Sequence, residues 1–416
     1  MRILIIGINF MPELVGIGKF TGEMAIYLAQ KGHDIRVVTA PPYYPEWRIG
    51  EAYSAWAYKK EIIESTRPIN VYRCPLWIPR KLSGLKRMIH LASFTASSFP
   101  VMLYHTIWKP DVVLAVEPPF FCSYQSWLAA RLSGAISWLH VQDFEIDAAL
   151  DLGIVKVARA KRMIYGVEKW ILRRFDRVST ISGRMLERLD TKGVAPVKQF
   201  LFANWVDTNQ IKPIERESPF RSELGIRSDE IVALYSGNMG EKQGLETVIE
   251  AARSRSRTMP IRFVLCGQGA AYARLRMLAE GLTNIIWMPL QPAERLNDLL
   301  NLADIHLLPQ RADAADLVMP SKLTGIMASG RPVVATANEG TEVWSVVQGH
   351  GITVAPGDDR AFVAAVAALA KDPARRALLG AEARKYSVEH LGKEQVLNAF
   401  EAALRGLVAR AKTVHV

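Results

Sequence analysis

Cysteine is scarce in this chain. Its 416 residues include three, Cys74, Cys122 and Cys266, far apart. They offer no ligand pair for a structural metal, and an odd, scattered set makes no disulfide framework. A reducing compartment is the simplest setting. No Asp-x-Asp pair occurs, so the shortest acidic signature of a divalent-cation site is missing. Zinc-finger spacings, an RNA-binding aromatic signature, low-complexity tracts and short-period repeats are missing too. Nucleic acid is therefore the weakest partner for the net charge of +11. Residues 88–108 lack Asp, Glu, Lys and Arg, and these 21 residues have the length of a membrane span. His90, Pro100, His105 and several Ser and Thr favour instead a helix or helix pair packed on the domain, with access to a bilayer surface. A leader is not expected. Residues 1–7 are apolar, but Asn9, Pro12 and Glu13 follow without a small-residue cleavage site, which suits a buried strand.

What is present fits a soluble two-domain α/β enzyme. Half the residues are apolar and 22% are charged, and the length suits two domains of about 200 residues. Strands are expected at 2–8, 35–39, 111–116, 135–141 and 177–181, with helices at 21–31, 123–132 and 158–175 between them. Strand, glycine loop, helix, the Gly32-His33 stop and strand form the first βαβ unit of a parallel sheet. The pattern restarts after residue 210, with strands at 231–235, 261–266, 285–288, 305–308 and 332–335. The join lies near 203–217, where Asn, Pro and charged residues cluster.

Charge is uneven. Residues 1–205 hold 27 Lys+Arg against 17 Asp+Glu, and the remainder 25 against 24. The basic half suits an anionic membrane or an acidic substrate. Residues 156–177 carry eight basic and two acidic residues among Met163, Ile164, Tyr165, Trp170, Ile171 and Phe175. Such interleaving suits an anionic lipid surface; the plainer alternative is a helix burying one face on its own sheet.

Four motifs carry chemistry. After the first strand comes Phe10-Met11-Pro12-Glu13-Leu14-Val15-Gly16-Ile17-Gly18. Gly16 and Gly18 let backbone approach a ligand at a helix N-terminus. Gly22 misses the dinucleotide fingerprint by one position, and a packing turn is the alternative. Trp138-Leu139-His140-Val141-Gln142-Asp143 ends another strand, where α/β sheets bind ligands. His140 can there donate to a sugar oxygen, and Asp143 can hold a hydroxyl or a proton. The third motif is Tyr235-Ser236-Gly237-Asn238-Met239-Gly240-Glu241-Lys242-Gln243-Gly244, a glycine turn with a cation, as a diphosphate requires. Gly267-Gln268-Gly269 ends the next strand. The fourth is Met319-Pro320-Ser321-Lys322-Leu323, followed by Gly330-Arg331-Pro332-Val333. Ser321 is a plausible helix cap. Lys322 would fall in a first turn, where the helix dipole disfavours a cation unless an anion joins it.

In order and spacing these motifs resemble the family-4 retaining glycosyltransferases of the GT-B fold, and within them the bacterial exopolysaccharide transferases of the colanic-acid type. The likeness covers nearly the whole chain. It also takes in Asp176-Arg177-Val178-Ser179-Thr180-Ile181-Ser182 and Asn204-Trp205-Val206-Asp207. It implies an α/β fold of two Rossmann-like domains facing across a cleft. Residues 1–205 would bind acceptor, residues 206–392 would bind nucleotide sugar, and 393–416 would be a helix that the pattern allows to cross back.

The resemblance implies catalytic His140 and Asp143. It implies a donor site of Gly16, Gly18, Gly237, Asn238, Lys242, Gly267, Asp316, Ser321 and Lys322. The family's usual Arg and Lys stand here as Asn238 and Gln243, which leaves Lys242 to carry more of that charge. Its two glutamates fall at Leu317 and Gly325, and Asp316 is the nearest replacement for the first. The implied reaction moves a sugar, with GDP-fucose as a donor and UDP-sugars as alternatives, to a polyprenyl-diphosphate-linked sugar. It would proceed with retention, without metal or cofactor, at the cytoplasmic face of the membrane. Two other readings fit the same residues: a nucleotide-sugar epimerase on the same double fold, and a non-catalytic nucleotide-sugar binder in an assembly complex.

Overall fold

The structure is a computed structural model. It describes residues 1–13, 16–80, 83–147, 158–255, 260–312 and 319–414. The chain divides into two compact units, Met1–Ala203 with Leu397–Val416, and Asn204–Val396.

The first unit is built on β1 (Arg2–Ile6), β2 (Asp34–Thr39), β3 (Lys59–Ile63), β4 (Ile69–Arg73), β5 (Val112–Glu117), β6 (Ile136–Val141), β7 (Arg177–Thr180) and β8 (Gln199–Leu201). These form one sheet in the order β3-β4-β2-β1-β5-β6-β7-β8. All neighbours are parallel except β3, which runs antiparallel to β4 at the edge. The inner strands read as unbroken apolar runs because helices cover both faces of such a sheet; Ile3 to Ile6 and Val112 to Leu114 are fully buried.

The uncharged segment folds as one helix, Gly84–Thr106, begun by Ser83, whose side chain accepts from the Lys86 amide. His90, Leu91, Phe94, Ser98, Met102 and His105 make its buried stripe, at helical spacing. Among the described residues, no helix is long and apolar enough to cross a membrane. The last helix, Lys393–Val414, buries Leu397, Phe400, Leu404 and Val408 at the same spacing. Phe400 stacks on Phe202 with centroids 4.1 Å apart and meets Trp138 edge-on at 5.0 Å.

The second unit holds β9 (Ile231–Ser236), β10 (Ile261–Cys266), β11 (Ile285–Met288), β12 (Ile305–Leu308), β13 (Val333–Thr336) and β14 (Gly351–Val354). The order is β11-β10-β9-β12-β13-β14, parallel throughout. Separate apolar clusters fill its two faces, one around Phe263 and Phe362, the other around Phe220 and Leu299. In both sheets the winding reverses once, between β1 and β5 and between β9 and β12. Parallel α/β sheets open a ligand crevice beyond the carboxyl ends of the strands at such a reversal.

Candidate functional site

At the reversal in the second sheet, β9 runs into Gly237, whose φ of 139° is a conformation that side chains resist. A Cβ there would lie 3.4 Å from Lys322 Nζ. The turn after β10 is braced against the turn after β9. Met239 N donates to Gln268 O at 2.8 Å, and Ala271 N donates to Met239 O at 2.9 Å. A Cβ on Gly267 would fall 1.9 Å from Gly237 O, so backbone approach already accounts for that glycine.

Lys322 is the second residue of helix Ser321–Ala328. Its Nζ donates to Tyr235 Oη and to Gln243 Oε1, each at 3.1 Å, and lies 4.5 Å from the Tyr235 ring centroid. Neither partner is an anion. Burial lowers its pKa to about 8. The ammonium therefore carries a desolvation cost, beside a helix N-terminus, that an arriving anion would relieve. Burial also raises the pKa of Tyr235, keeping it a neutral hydroxyl that donates to the Asn238 carbonyl oxygen.

The other expected donor residues fare differently. Ser321 is exposed and is not the cap: Pro320 holds that position, and no side-chain cap forms. The reason is local, because the helical turn starts at Ser321 itself. Asn238 is exposed. The Lys242 side chain points to solvent while its carbonyl accepts from Arg311 N at 3.1 Å. Asp316 and Leu317 lie outside the described residues. Gly325 turns toward Leu300, with a Cβ direction meeting Leu300 Cδ1 at 3.3 Å. Tyr235, Gln243 and Arg311 were missed from sequence. Tyr235 ends an apolar strand and reads as core, Gln243 lies in the third motif but was read only as a lost cation, and Arg311 carries no motif.

In the first unit the carboxyl end of β1 leads to Glu13, which is buried. Its Oε1 accepts from the amides of Tyr43 and Tyr44 at 3.0 Å each, and its Oε2 from Asn9 Nδ2 at 2.9 Å. Burial raises its pKa against these hydrogen bonds. A Cβ on Gly18 would lie 2.5 Å from Glu13 Oε2, and one on Gly16 would lie 3.5 Å from Tyr44. Gly18 is thus required by a carboxylate packed on the first helix, Gly16–Gln30. An open cleft of about 580 Å³ begins here, lined by Pro12, Glu13, Pro42, Tyr43, Tyr44 and Arg48 among others.

His140 sits near the carboxyl end of β6. It is only 3% exposed, with Nδ1 2.9 Å from Ser179 Oγ and Nε2 3.0 Å from Gln142 Nε2. The Gln142 amide donates to Nε2, which puts the ring proton on Nδ1, facing Ser179. Phe202 packs on the ring at 4.8 Å, and burial depresses its pKa to about 3. His140 is therefore a neutral imidazole in this state, able to hydrogen-bond but not to supply a proton as imidazolium. Asp143 is half-buried, and burial raises its pKa against the nearby Arg87 charge. Glu145 is spent on the Phe120 amide at 2.8 Å, and Asp147 on Arg188 and Lys192 at 2.8 and 2.9 Å.

The 4-like glycosyltransferase family matches residues 15–205, and the family of glycosyl transferases, group 1, matches residues 217–386. A putative colanic acid biosynthesis glycosyl transferase, WcaI of Escherichia coli K12, is 43% identical over 98% of this chain and all of its own length. This chain is a group-1 glycosyltransferase. Its fold is shared with sucrose-phosphate synthase from Thermosynechococcus elongatus, at a TM-score of 0.74 and 18% identity over 98% of this chain and 99% of that one. It is shared also with Anabaena HepE, solved in complex with UDP, at 0.71 and 14% over 98% and 100%. Glycosyltransferases use nucleotide-sugar donors and sugar acceptors, and the two α/β units, each built on a largely parallel sheet, are those of the GT-B fold.

Proposed function

We propose that the enzyme transfers a sugar from a nucleotide carrier to a polyprenyl-diphosphate-linked oligosaccharide, with retention, during synthesis of a colanic-acid-type exopolysaccharide. GDP-fucose is the donor to try first. The observation that carries the reading is Lys322, a partly desolvated ammonium with two neutral partners beside Gly237 at the second reversal. A departing nucleoside diphosphate supplies the missing charge, and Lys322 stabilises it as the bond from the anomeric carbon to the diphosphate oxygen breaks and the acceptor hydroxyl, losing its proton, forms the glycosidic bond. The relative named for colanic acid biosynthesis supports the pathway. His140 and Asp143 would serve the acceptor side, with His140 Nε2 exchanging Gln142 for an acceptor hydroxyl.

Work on a lipid-linked acceptor calls for the inner face of the cytoplasmic membrane. Helix Ala158–Leu172 leaves Met163 67%, Val167 52% and Trp170 44% exposed. Trp170 meets Trp127 at 5.9 Å, with the Arg174 guanidinium over its ring at 4.1 Å. Basic and aromatic groups so mixed favour an anionic lipid surface. The Arg87 charge lies close enough to act on Asp143 and Glu145.

The test is purified protein with a panel of GDP- and UDP-sugars and a polyprenyl-diphosphate-sugar, with chelator, read by mass spectrometry, and by NMR for the new anomeric centre. A glycosylated lipid product supports the reading. Conversion of donor without acceptor would replace it with the epimerase. Sedimentation with anionic but not neutral vesicles at low salt tests the docking.

A further inference from the structure

The turn carrying Gln243 is gripped from a second side. Arg311 follows β12 directly, on the opposite bank of the same reversal. Its amide donates to Lys242 O at 3.1 Å, and its Cγ lies 3.4 Å from the Cβ direction of Gly244. Lys322 reaches Gln243 between them. Two cationic side chains thus pack on one three-residue turn. The Arg311 guanidinium is 48% exposed and is held by Glu246, Nη2 to Oε1 at 2.8 Å. That same oxygen also accepts from Arg274 Nη2 at 2.6 Å, and Arg274 holds Glu241 at 2.7 Å as well. Glu246 stands in the first turn of helix Glu246–Arg255, where the dipole favours a carboxylate. One carboxylate oxygen therefore satisfies two guanidiniums and keeps a partner if either leaves.

We propose that Arg311 is a second cation of the diphosphate site, parked on Glu246 in the free enzyme and transferred to a donor phosphate when nucleotide binds. The inference rests on the reading of this crevice as the donor site. The exchange costs little, because Arg274 and the helix N-terminus still compensate Glu246 after Arg311 leaves. It gains more, because a guanidinium can meet two phosphate oxygens through parallel hydrogen bonds, whereas Arg311 here reaches Glu246 through Nη2 to Oε1, in a half-exposed pair worth little in water. No covalent step is involved.

Glu246 is then a competitor of the ligand, not a brace for it, and this fixes opposite signs for two substitutions. The test is calorimetry with GDP, UDP and ADP, and with the matching nucleosides, on the wild-type chain, R311A, E246Q and R227A. Arg227 is the control, an exposed arginine paired with Asp229 at the amino end of β9. R311A should weaken the preferred nucleoside diphosphate by about 10–100-fold, the range of charge-assisted hydrogen bonds, with nucleoside binding unmoved. E246Q should tighten it by a few-fold, and R227A should leave it unchanged. Equal weakening in R311A and E246Q would make the pair a structural clamp and overturn the transfer. R311A within twofold of wild type would overturn it as well. Wild-type protein that takes no nucleoside diphosphate would sink the donor reading, and this inference with it.

Discussion

The two reversals deal with buried charge in opposite ways. The first unit carries all of the excess positive charge, yet its crevice is lined by buried carboxyl groups. Glu13 is satisfied by two backbone amides and Asn9, while Glu117 Oε2 and Glu145 Oε1 are buried with no hydrogen-bond partner among the described residues. The second unit is close to neutral overall, yet its crevice holds an ammonium with no anionic partner among the described residues. Net charge reports the solvated surface, where helix Ala158–Leu172 puts its cations. Site charge is set by the few groups that folding removes from water.

The largest expected effect sets the two crevices apart by kinetics. His140→Ala lowers turnover by roughly 10²–10³, the cost of losing one hydrogen-bonding group at a reacting centre, and leaves nucleotide affinity alone if the first crevice serves the acceptor. Wild-type turnover in a folded variant would make the ring packing only. Next, Lys322→Ala weakens nucleoside-diphosphate binding by about 10–100-fold in calorimetry. Unchanged affinity would move the anion out of the second crevice.

Titration sharpens the same point. Burial holds Lys322 near 8, so affinity for the anion is full below that pH and falls as pH rises through it. Folding stability runs the other way. Between about 8 and the unfolded lysine value the unfolded chain binds more protons, and the contribution of Lys322 to stability rises with pH. A flat affinity profile from pH 7 to 9.5 would contradict this assignment.

The prediction for Glu13 concerns stability rather than turnover or affinity. Glu13→Ala strands three donors and costs about 2–4 kcal/mol in urea unfolding, whereas Glu13→Gln keeps most acceptors and costs far less. Equal losses in both variants would mean that the charge itself matters.

Much of the architecture was legible because buried parallel strands are apolar runs and their helices carry one apolar stripe. The expected strands match β1, β2, β5, β6 and β7, and β9 through β13, to within a residue or two. The edge strands β3, β8 and β14 escaped, and so did β4 beside the edge. Lys59-Lys60-Glu61 shows no apolar alternation, and Gln199–Leu201 is too short to show a period. Among the candidate site residues, Gly237 and Lys322 stood out because a glycine turn and a cation at a helix start each break a local rule. Gly267 and Gly18 stood out for the same reason, but the structure gives them packing roles first.

The sequence by itself determined the two α/β repeats, the resemblance to a family and the identity of the isolated lysine. Those depend on periodicity and on short motifs, which are local. Only the tertiary structure decided what each polar group faces. It put Gln243 and Tyr235 on Lys322, Arg311 on Glu246, and Ser179 and Gln142 on His140. These partners come from different strands and turns, and the order of strands in each sheet brings them together. Desolvation and hydrogen bonding, which set the charge of each group, exist only once those strands are packed.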